Sequence, residues 1–516
     1  MRLVGLNAGL IIFEDDHLLV VNKPAGWSTH SPSPYAGEGL YEWLKNREPR
    51  WSRLAIIHRL DKDTSGLIVF GKTTEANRSL TRQFESREVH KKYTLLSDRP
   101  SPLGLIHVKT ALVRSGERYL SRPIHAGAEV AETKFSVAGR FIAAEPLTGK
   151  THQIRVHAAA NGFPILGDTL YGGTAAERVH LHASEISFSH PATGQRVSFG
   201  SPADFSGDPR QALRAALVDP SQTNALRLIH GAADGWPGLY VDRLGDFVLA
   251  QSAQALTTAQ QKRLESFSAL GAYHKLLQRE AKTAPQWISG QRASEVIPVR
   301  ENGLQFALRF DEGYSIGLFL DQRDNRRRLI SHYIAPEMEL PSAPEVLNAF
   351  AYTCGFSVCA AASGARVTSL DLSKKYLDWG RRNFSLNQLD PSGHDFIFGD
   401  AFDWFRRLSK KGRQFDVVIL DPPTFSRSRE HGVFQVEKNY GELMTAALPL
   451  LKAGGIVLAS TNSATWEPEN FLESLDRSVA QSRRQIVARQ YIPQPPDFPV
   501  HRLEPAHLKT VWLQIA

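Results

Sequence analysis

The sequence is poor in cysteine and has no long uninterrupted apolar run. Its 516 residues include only two cysteines, Cys354 and Cys359, which are too few for a disulfide framework or a Cys-rich zinc site. Low cysteine use is typical of a reducing compartment, so we expect a cytoplasmic protein. No stretch approaches the roughly 18 apolar residues of a membrane span, and the first residues lack the cleavage site of a secretory signal. We therefore expect no membrane association and no metal.

The charge balance favours a polyanionic partner. The chain has 61 Lys and Arg against 53 Asp and Glu, a formal net charge of +8. Cationic side chains displace counterions from phosphates, which suits RNA, but mild basicity is also common in proteins that bind no nucleic acid. Short basic clusters are candidates for contacts with the RNA backbone, although each could equally be a solvated helix face. They are Arg326–Arg328, Arg381-Arg382, Arg406-Arg407 and Lys410-Lys411.

Hydrophobic patterning predicts three folded units. Short apolar strands, with few long helices, predict an α+β mixed-sheet domain over residues 1–205. A stretch rich in Pro, Ser, Asp and Gly at 201–222 indicates the main boundary, and a small intermediate α+β module is expected over 223–335. Residues 336–516 alternate apolar strands with helices, which predicts a parallel, doubly wound α/β Rossmann-like domain.

A carboxylate between cations is the central chemical feature of the first domain. His58-Arg59-Leu60-Asp61-Lys62 lies in a polar loop between two apolar runs. Neighbouring positive charge would keep Asp61 ionised in a partly desolvated place, as an active carboxylate requires. A salt-bridged turn would have the same local composition.

The wider sequence resembles the RluA-like pseudouridine synthases through most of residues 11–200. The resemblance is carried, in order, by DDHLLVVNKPAGWSTH, HRLDKDTSGL, VHKKYTLL, LTGKTHQIRVHAAANGFPILGDTLYG and LHASEISFSHPATG. It implies that Asp61 is the catalytic carboxylate and that Arg59 fills the space that the target base leaves. It also implies that Tyr93 stacks on the uracil, that Arg155 pairs with Asp61, and that Ile154 forms an apolar wall. No cofactor is implied for this half.

One segment departs from that family's pattern. Residues 31–49, SPSPYAGEGLYEWLKNREP, stand where many members have a simpler turn, and we expect them to alter how RNA approaches. No separate RNA-binding module precedes the catalytic blocks, so we expect the C-terminal half to help hold the RNA.

Two motifs mark the C-terminal half. VLNAFAYTCGFSVCAAASGARVTSLDL has a tight turn followed by a strand that ends in Asp371, a pattern that can hold a ribose, although a generic α/β turn looks similar. Asp421-Pro422-Pro423-Thr424-Phe425 follows an apolar strand. Its prolines fix the backbone so that carbonyls can be aimed at a base, and Phe425 could stack on a flipped base.

Residues 223–516 resemble the large-subunit ribosomal RNA methyltransferases of the RlmI and RlmK type. The matching pieces are ALRLIHGAADGWPGLYVDRLGD, FDEGYSIGLFLDQRDNRR, LNAFAYTCGF and DPPTFSRS. The resemblance implies S-adenosylmethionine as the methyl donor. It places Asn348 and Gly355 near the methionine portion, Asp371 at the ribose and Asp400 near the adenine. Asp421 would lie in the loop that faces both donor and substrate. Arg323 would contact the donor, and the substrate would be bound by Pro422, Pro423 and Phe425.

The absence of a cysteine from residues 460–463 bears on which base is methylated. RNA 5-methylcytosine formation needs a thiolate that attacks the ring, and the segment where relatives place it reads Ser460-Thr461-Asn462-Ser463. We therefore favour a guanine ring nitrogen over cytosine carbon 5. The sequence predicts a bifunctional RNA-modifying enzyme, with large-subunit ribosomal RNA as the substrate that the resemblance implies. The alternative is a pseudouridine synthase whose methyltransferase-like half only binds RNA.

Overall fold

The computed structural model describes residues 9–99, 104–277, 284–311, 315–428 and 432–516. Three larger sheets follow one another along the chain, and they match the predicted succession of a mixed sheet, a small module and a Rossmann-like sheet. Within the described ranges, no helix is long and apolar enough to cross a membrane.

The first sheet has eleven strands. In chain order the elements are β1 (Ile11–Glu14), β2 (Leu18–Lys23), α1 (Leu40–Lys45), β3 (Ala55–Ile56), β4 (Ser65–Gly71), α2 (Thr74–Glu85), β5 (His90–Leu96), β6 (Gly104–Ser115), β7 (Arg118–Arg122), β8 (Val130–Ala138), β9 (Phe141–Pro146), α3 (Gln153–Ala160), β10 (Leu181–Ser189) and β11 (Arg196–Gly200). Its order is β1-β2-β4-β10-β5-β9-β8-β6-β7, with β3 added to β4 and β11 to β10.

Local chemistry explains the central part of this sheet. The turn between β1 and β2 forms because the Asp15 carboxylate accepts the backbone N–H groups of His17 and Leu18 at 2.8 and 2.7 Å. All seven residues of β4 are buried, as its apolar sequence predicts for a central strand. The apolar run before the Asp61 loop contributes only the two-residue β3, so most of it is loop rather than strand.

The second sheet and its neighbours form the middle of the chain. Their elements are α4 (Pro209–Leu217), β12 (Ala225–His230), β13 (Leu239–Leu244), β14 (Phe247–Ser252), α5 (Thr258–Glu265), β15 (Gly271–Leu276), β16 (Gln286–Gly290), β17 (Ile297–Glu301), β18 (Leu304–Leu308), α6 (Arg323–Ser331), β19 (Tyr333–Ala335) and β20 (Met338–Glu339). The stretch predicted as a boundary therefore contains a helix, α4, which Asp208 caps and Pro209 begins.

The third sheet has the order β23-β22-β21-β24-β27-β29-β28. Its region comprises β21 (Glu345–Ala349), α7 (Gly355–Ala362), β22 (Arg366–Asp371), α8 (Lys374–Leu386), β23 (Asp395–Phe398), α9 (Ala401–Lys410), β24 (Phe415–Leu420), β25 (Phe425–Ser428), β26 (Gly432–Gln435), α10 (Val436–Ala447), β27 (Leu451–Thr461), α11 (Pro468–Gln481), β28 (Ile486–Pro493) and β29 (Lys509–Ile515). The first five strands in the order are parallel, whereas β29 pairs antiparallel with both of its neighbours.

Residues 31–54, which we call the docking segment, join the first sheet to the C-terminal half. Trp43 Nε1 donates to Asp324 Oδ2 at 3.3 Å, and Tyr333 donates its hydroxyl to the Lys45 carbonyl at 2.9 Å. Arg327 donates to the carbonyls of Asn46 and Arg47 at 3.1 and 2.7 Å. The departure at 31–49 is therefore an internal contact between the halves.

The Arg326–Arg328 cluster is not a contact surface for RNA. These three side chains lie on α6 and are at most 2% exposed. Arg326 pairs with Glu301 at 2.6 Å, and Arg328 donates to the carbonyls of Asp324 and Ile334. The expectation was wrong because a run of arginines on a helix can be satisfied inside the protein by acids and carbonyls that the local sequence does not reveal.

Candidate active sites

The first candidate site is a cleft of about 610 Å³ beside the Asp61 loop. The loop runs from β3 to β4, and its backbone is closed by a hydrogen bond from Thr64 N to Asp61 O of 3.1 Å. Arg59, Asp61, Tyr93, Ile154 and Arg155 all line this cleft. The structure thus brings together the five residues that the sequence predicted for the first domain.

A buried lysine holds the Asp61 loop from behind. Lys23 at the end of β2 is fully buried, and its Nζ donates to the carbonyls of Lys62, Trp27 and Pro24 at 3.1, 2.7 and 3.0 Å. Burial lowers the pKa of Lys23 to about 7, although the charges of Asp63 and Asp61 act in the opposite direction. The Lys23 ammonium thus fixes the backbone carbonyl of Lys62, the residue directly after Asp61.

Two ionic contacts orient the side chains around Asp61. Arg155 on α3 lies with Nη1 3.4 Å from Asp61 Oδ2, and it forms two shorter hydrogen bonds with the buried Asp168 at 2.7 and 2.8 Å. Burial acts to lower the pKa of Arg155, but the hydrogen bonds and charge of Asp168 outweigh it and raise that pKa above its usual value. His152 Nε2 lies 3.9 Å from Asp61 Oδ2. Sequence reasoning gave no role to Asp168 or His152, although both lie inside the quoted THQIRVHAAANGFPILGDTLYG stretch.

Tyr93 and Arg59 approach the cleft from different elements. Tyr93 lies on β5, and burial together with the negative charge of Asp61 raises the pKa of its hydroxyl, which therefore stays protonated at neutral pH. Arg59 is exposed and reaches Thr151 at 3.4 Å. Its guanidinium therefore lies at the exposed side of the cleft.

The second candidate site is a cavity of about 410 Å³ at the carboxyl ends of the parallel strands. Of the residues predicted for the C-terminal half, Gly355, Asp371, Asp421, Pro422, Pro423 and Phe425 line it. The position agrees with the rule that ligands of doubly wound sheets bind outside the carboxyl ends of strands.

The turn between β21 and α7 is strained. Phe350, Tyr352 and Cys354 all have positive φ, at 59°, 50° and 63°, a conformation that costs energy for residues other than glycine. The Asp371 carboxylate helps hold it, because it accepts the N–H groups of Tyr352 and Ser373, both at 2.8 Å. Burial raises the pKa of Asp371, although these two hydrogen bonds oppose the rise.

Asp421 lies directly after β24, where the cavity meets the DPPTF loop. Burial raises the pKa of its carboxyl to about 6, and the nearby charge of Asp321 acts in the same direction. Gln322 Nε2 donates to Asp421 Oδ2 at 3.3 Å and to the Ser460 hydroxyl at 2.8 Å. Asp321 and Gln322 both line the cavity, a role that sequence reasoning missed although it singled out LDQR for its arginine.

Three predicted residues are not brought to the cavity. Arg323 is buried, and its guanidinium is bound to both oxygens of Asp497 at 2.9 and 2.7 Å. Asn348 lies under the turn within β21, with its amide donating to the Ser357 hydroxyl at 2.8 Å. Asp400 caps α9 by accepting the N–H groups of Phe402 and Asp403. None of the three lines the cavity, whereas Arg326, Tyr352 and Asn462 do.

The two cysteines are poor sources of a thiolate. Both are buried, and burial raises the pKa of Cys354 to about 12 and that of Cys359 further still. Neither is therefore ionised at neutral pH, as a nucleophilic thiol must be.

Comparisons with known proteins agree with this division into two sites. Residues 227–513, more than half of the chain, match a family model described as S-adenosylmethionine-dependent methyltransferase, and residues 17–160 match one described as RNA pseudouridylate synthase. A ribosomal RNA large subunit methyltransferase from Deinococcus radiodurans is 34% identical over 325 residues, which cover 60% of this chain and 78% of that protein.

Two further relatives are similar over the same half. Ribosomal RNA large subunit methyltransferase I from Aeromonas salmonicida is 31% identical over 301 residues, 56% of this chain and 74% of that protein. A solved methyltransferase complexed with SAH is 27% identical, with a TM-score of 0.52 over 64% of this chain and 86% of that chain.

Proposed function

The chain belongs to the S-adenosylmethionine-dependent methyltransferase family and also carries an RNA pseudouridylate synthase region, and from this premise we propose that it modifies RNA in two ways. One site isomerises uridine to pseudouridine, and the other methylates a base. The observation that carries the proposal is that each half has its own cavity lined by its own carboxylate, Asp61 or Asp421.

In the synthase cleft we assign the reaction to Asp61. Pseudouridine formation breaks the glycosidic bond, turns the uracil and rejoins it through carbon 5, so the uridine must leave the helix. Asp61 would act as nucleophile or base, with Arg155 fixing the carboxylate because Asp168 fixes Arg155. Tyr93 would stack on the uracil with Ile154 as an apolar wall, and Arg59 would fill the vacated space. The isomerisation consumes no second substrate.

The C-terminal cavity fits an S-adenosylmethionine-like donor. Gly355 follows the strained turn, and an added Cβ there would stand 3.2 Å from Leu318, so there is little room for a larger residue. Asp371 at the end of β22 is suited to ribose hydroxyls. The donor supplies an electrophilic methyl group, and the chain's part is to hold the base against it. Pro422 and Pro423 fix the loop, and the exposed Phe425 offers a stacking face.

We further propose that the methyl acceptor is a guanine ring nitrogen in large-subunit ribosomal RNA. Methylation of an unprotonated ring nitrogen needs positioning but no thiolate, and this agrees with two buried thiols of raised pKa. Asn462, rather than a cysteine, is the exposed residue of the 460–463 segment and lines the cavity. The ribosomal substrate is inferred from the relatives' names.

A nucleoside digest of treated RNA tests both activities at once. Unmodified large-subunit ribosomal RNA is incubated with the protein, with and without S-adenosylmethionine, and its nucleosides are separated and weighed by mass spectrometry. We expect pseudouridine in both samples and a methylated guanosine only with the donor. A 5-methylcytidine product would contradict the choice of base, and the absence of pseudouridine would contradict the role of the first cleft.

Donor binding separates the proposal from the alternative in which the C-terminal half only holds RNA. Calorimetry should detect saturable binding of S-adenosylmethionine to the wild-type chain and much weaker binding to Asp371→Ala. No heat from the wild type at high donor concentration would favour the binding-module alternative.

A further inference from the structure

One lysine in the synthase cleft has no role in the chemistry assigned above. Lys91 and Tyr93 are two positions apart on β5, so their side chains lie on the same face of the sheet, and both line the cleft. Lys92 between them points to the other face and is exposed. Strand geometry thus directs Lys91, but not Lys92, into the cavity that holds Asp61.

The ammonium of Lys91 has no counter-charge among the described residues. Its Nζ lies 5.6 Å from the centre of the Phe84 ring and would be 3.8 Å from a Cβ added at Gly149. Within those residues, no carboxylate lies within ion-pair distance of Nζ and no acceptor lies within hydrogen-bond distance. Burial lowers the pKa of Lys91, and no neighbouring acid opposes the shift. Its positive charge in turn helps to lower the pKa of the half-buried His58.

Lys23, a second lysine near the Asp61 loop, has the hydrogen-bond acceptors that Lys91 lacks among the described residues. Lys23 is more deeply buried, but three carbonyl oxygens accept its hydrogen bonds. A half-buried cation without protein acceptors in the described part of the chain, such as Lys91, is stabilised when a ligand supplies them. The acids near the cleft do not pair with Lys91, because Asp61 is engaged by Arg155 and Glu85 is exposed on α2. Arg59 and Arg87 add further positive charge to the same lining, whereas Lys150 there is paired with Glu129 at 3.1 Å.

We propose that Lys91 binds a backbone phosphate of the RNA next to the uridine that enters the cleft. This inference rests on the proposed synthase function and adds a residue that positions the substrate. Phosphate is the anionic group that every nucleotide carries, and a lysine binds it as a point charge. Gly149 keeps the space in front of the ammonium open, because no side chain stands there to block the approach of the backbone.

The test compares Lys91→Met with Lys92→Met in the full chain. Methionine keeps an unbranched apolar stem and removes the charge, and Lys92 is the matched control on the opposite face of the same strand. The probe is a ribosomal RNA fragment that contains the uridine mapped in the nucleoside digest. The KM and kcat of pseudouridine formation and the salt dependence of RNA binding are measured for each variant.

We expect Lys91→Met to raise KM by on the order of tenfold, as for the loss of one charged hydrogen bond, with a smaller change in kcat. The slope of log affinity against log salt should fall in magnitude by about one. The Lys91→Arg variant, which keeps the charge, should retain most of the wild-type affinity. Lys92→Met should change each value less than twofold. Equal effects of the two methionine variants, or a fall in kcat with an unchanged salt slope, would overturn the phosphate role.

The outcome can be read separately from the proposed function. If the wild-type chain forms no pseudouridine, the synthase assignment fails before Lys91 is considered. If the wild type is active and Lys91→Met binds RNA with the wild-type salt slope, only the Lys91 inference fails. Melting temperature and donor binding by the C-terminal half show whether either variant has lost its fold.

Discussion

At the scale of single residues, the synthase cleft depends on ion pairs between side chains that are far apart in the sequence. Asp61 and Arg155 are 94 positions apart, and Arg155 is fixed in turn by Asp168. Arg155 therefore has two anionic partners, of which Asp168 is the closer and the more deeply buried. This arrangement keeps the guanidinium in place beside the more exposed Asp61.

Replacement of Asp61 by Asn should abolish only one activity. The amide keeps the size of the side chain but cannot act as a nucleophile or base, so we expect pseudouridine formation to fall on the order of 10³-fold or more. Methylation of the same RNA should stay within about twofold, since Asp61 and Asp421 lie in different cavities. The nucleoside digest measures both products, and loss of both in a folded variant would contradict independent sites.

The raised pKa of Asp421 predicts a pH dependence of methylation. The protonated carboxyl is favoured by burial, so the carboxylate is lost as pH falls through about 6. If the carboxylate holds the substrate or donor, single-turnover methylation should decrease about tenfold per pH unit below that value. Asp421→Asn should remove this acidic limb together with most of the activity. A flat profile between pH 5 and 7 would exclude an ionised Asp421 from the reaction.

The sequence predicted residues that terminate strands better than residues buried beneath them. Asp371 and Asp421 were recognised because an acid at the end of an apolar strand falls at the open edge of a parallel sheet. Asn348 and Asp400 also fall near strand ends, but Ser357 and the first turn of α9 occupy their polar groups. Arg323 instead begins α6, where Asp497 binds its guanidinium. The Asp497 partner comes from tertiary packing, which motif spacing does not encode, whereas the cap that Asp400 forms on α9 is local.

At the scale of elements, the strained turn between β21 and α7 is stabilised by its packing rather than by glycine. Phe350, Tyr352 and Cys354 adopt positive φ without being glycine, and for this reason the turn appeared only weakly defined in the sequence. Helix α8 packs so closely that a Cβ added at Gly380 would lie 2.3 Å from Cys354 Sγ. The order of strands and helices could be read from the chain, but this close approach could not.

Gly380→Ala should therefore destabilise the protein, although alanine has the higher helix propensity. Alanine normally stabilises a helix interior by about 1 kcal/mol relative to glycine, yet here the new methyl group has to displace Cys354 and the strained turn. We expect a lower melting temperature and a Kd for S-adenosylmethionine that is weaker by about tenfold or more. Gly441→Ala in α10 is the matched control, because its Cβ would meet only serine hydroxyls at 3.2 and 3.4 Å. Donor binding as tight as in the wild type would show that the turn tolerates the shift.

At the scale of the whole molecule, the docking segment makes the two halves one body. Asp324 is central to this contact: it lies 3.5 Å from Arg47, accepts from Trp43, and is surrounded by arginines of α6. Burial acts to raise its pKa, but the charges of Arg323 and Arg47 outweigh it and lower the value to about 2. The resemblance to synthases singled out this segment as a departure, but its partner was hidden because the contact spans about 280 positions.

Asp324→Ala should weaken the contact between the halves. It leaves several buried arginines without their shared acid, and removing one partner of a buried ion pair typically costs about 3–5 kcal/mol. We expect calorimetry to show a lower first melting transition, separated from that of the remaining half. Asp378→Ala, which breaks an exposed pair with Arg381, should cost at most about 1 kcal/mol. Identical melting curves for the two variants would show that Asp324 does not join the halves.

The docking segment also limits how the chain can be divided. Trp27 and Trp43 belong to one apolar cluster with Leu226 and Val241, so the first sheet and the middle module share a core across the 201–222 stretch. A fragment cut within that stretch would expose this cluster to water, and large exposed apolar patches promote aggregation. Point substitutions can therefore separate the two activities, whereas truncation would remove part of the core on which both halves depend.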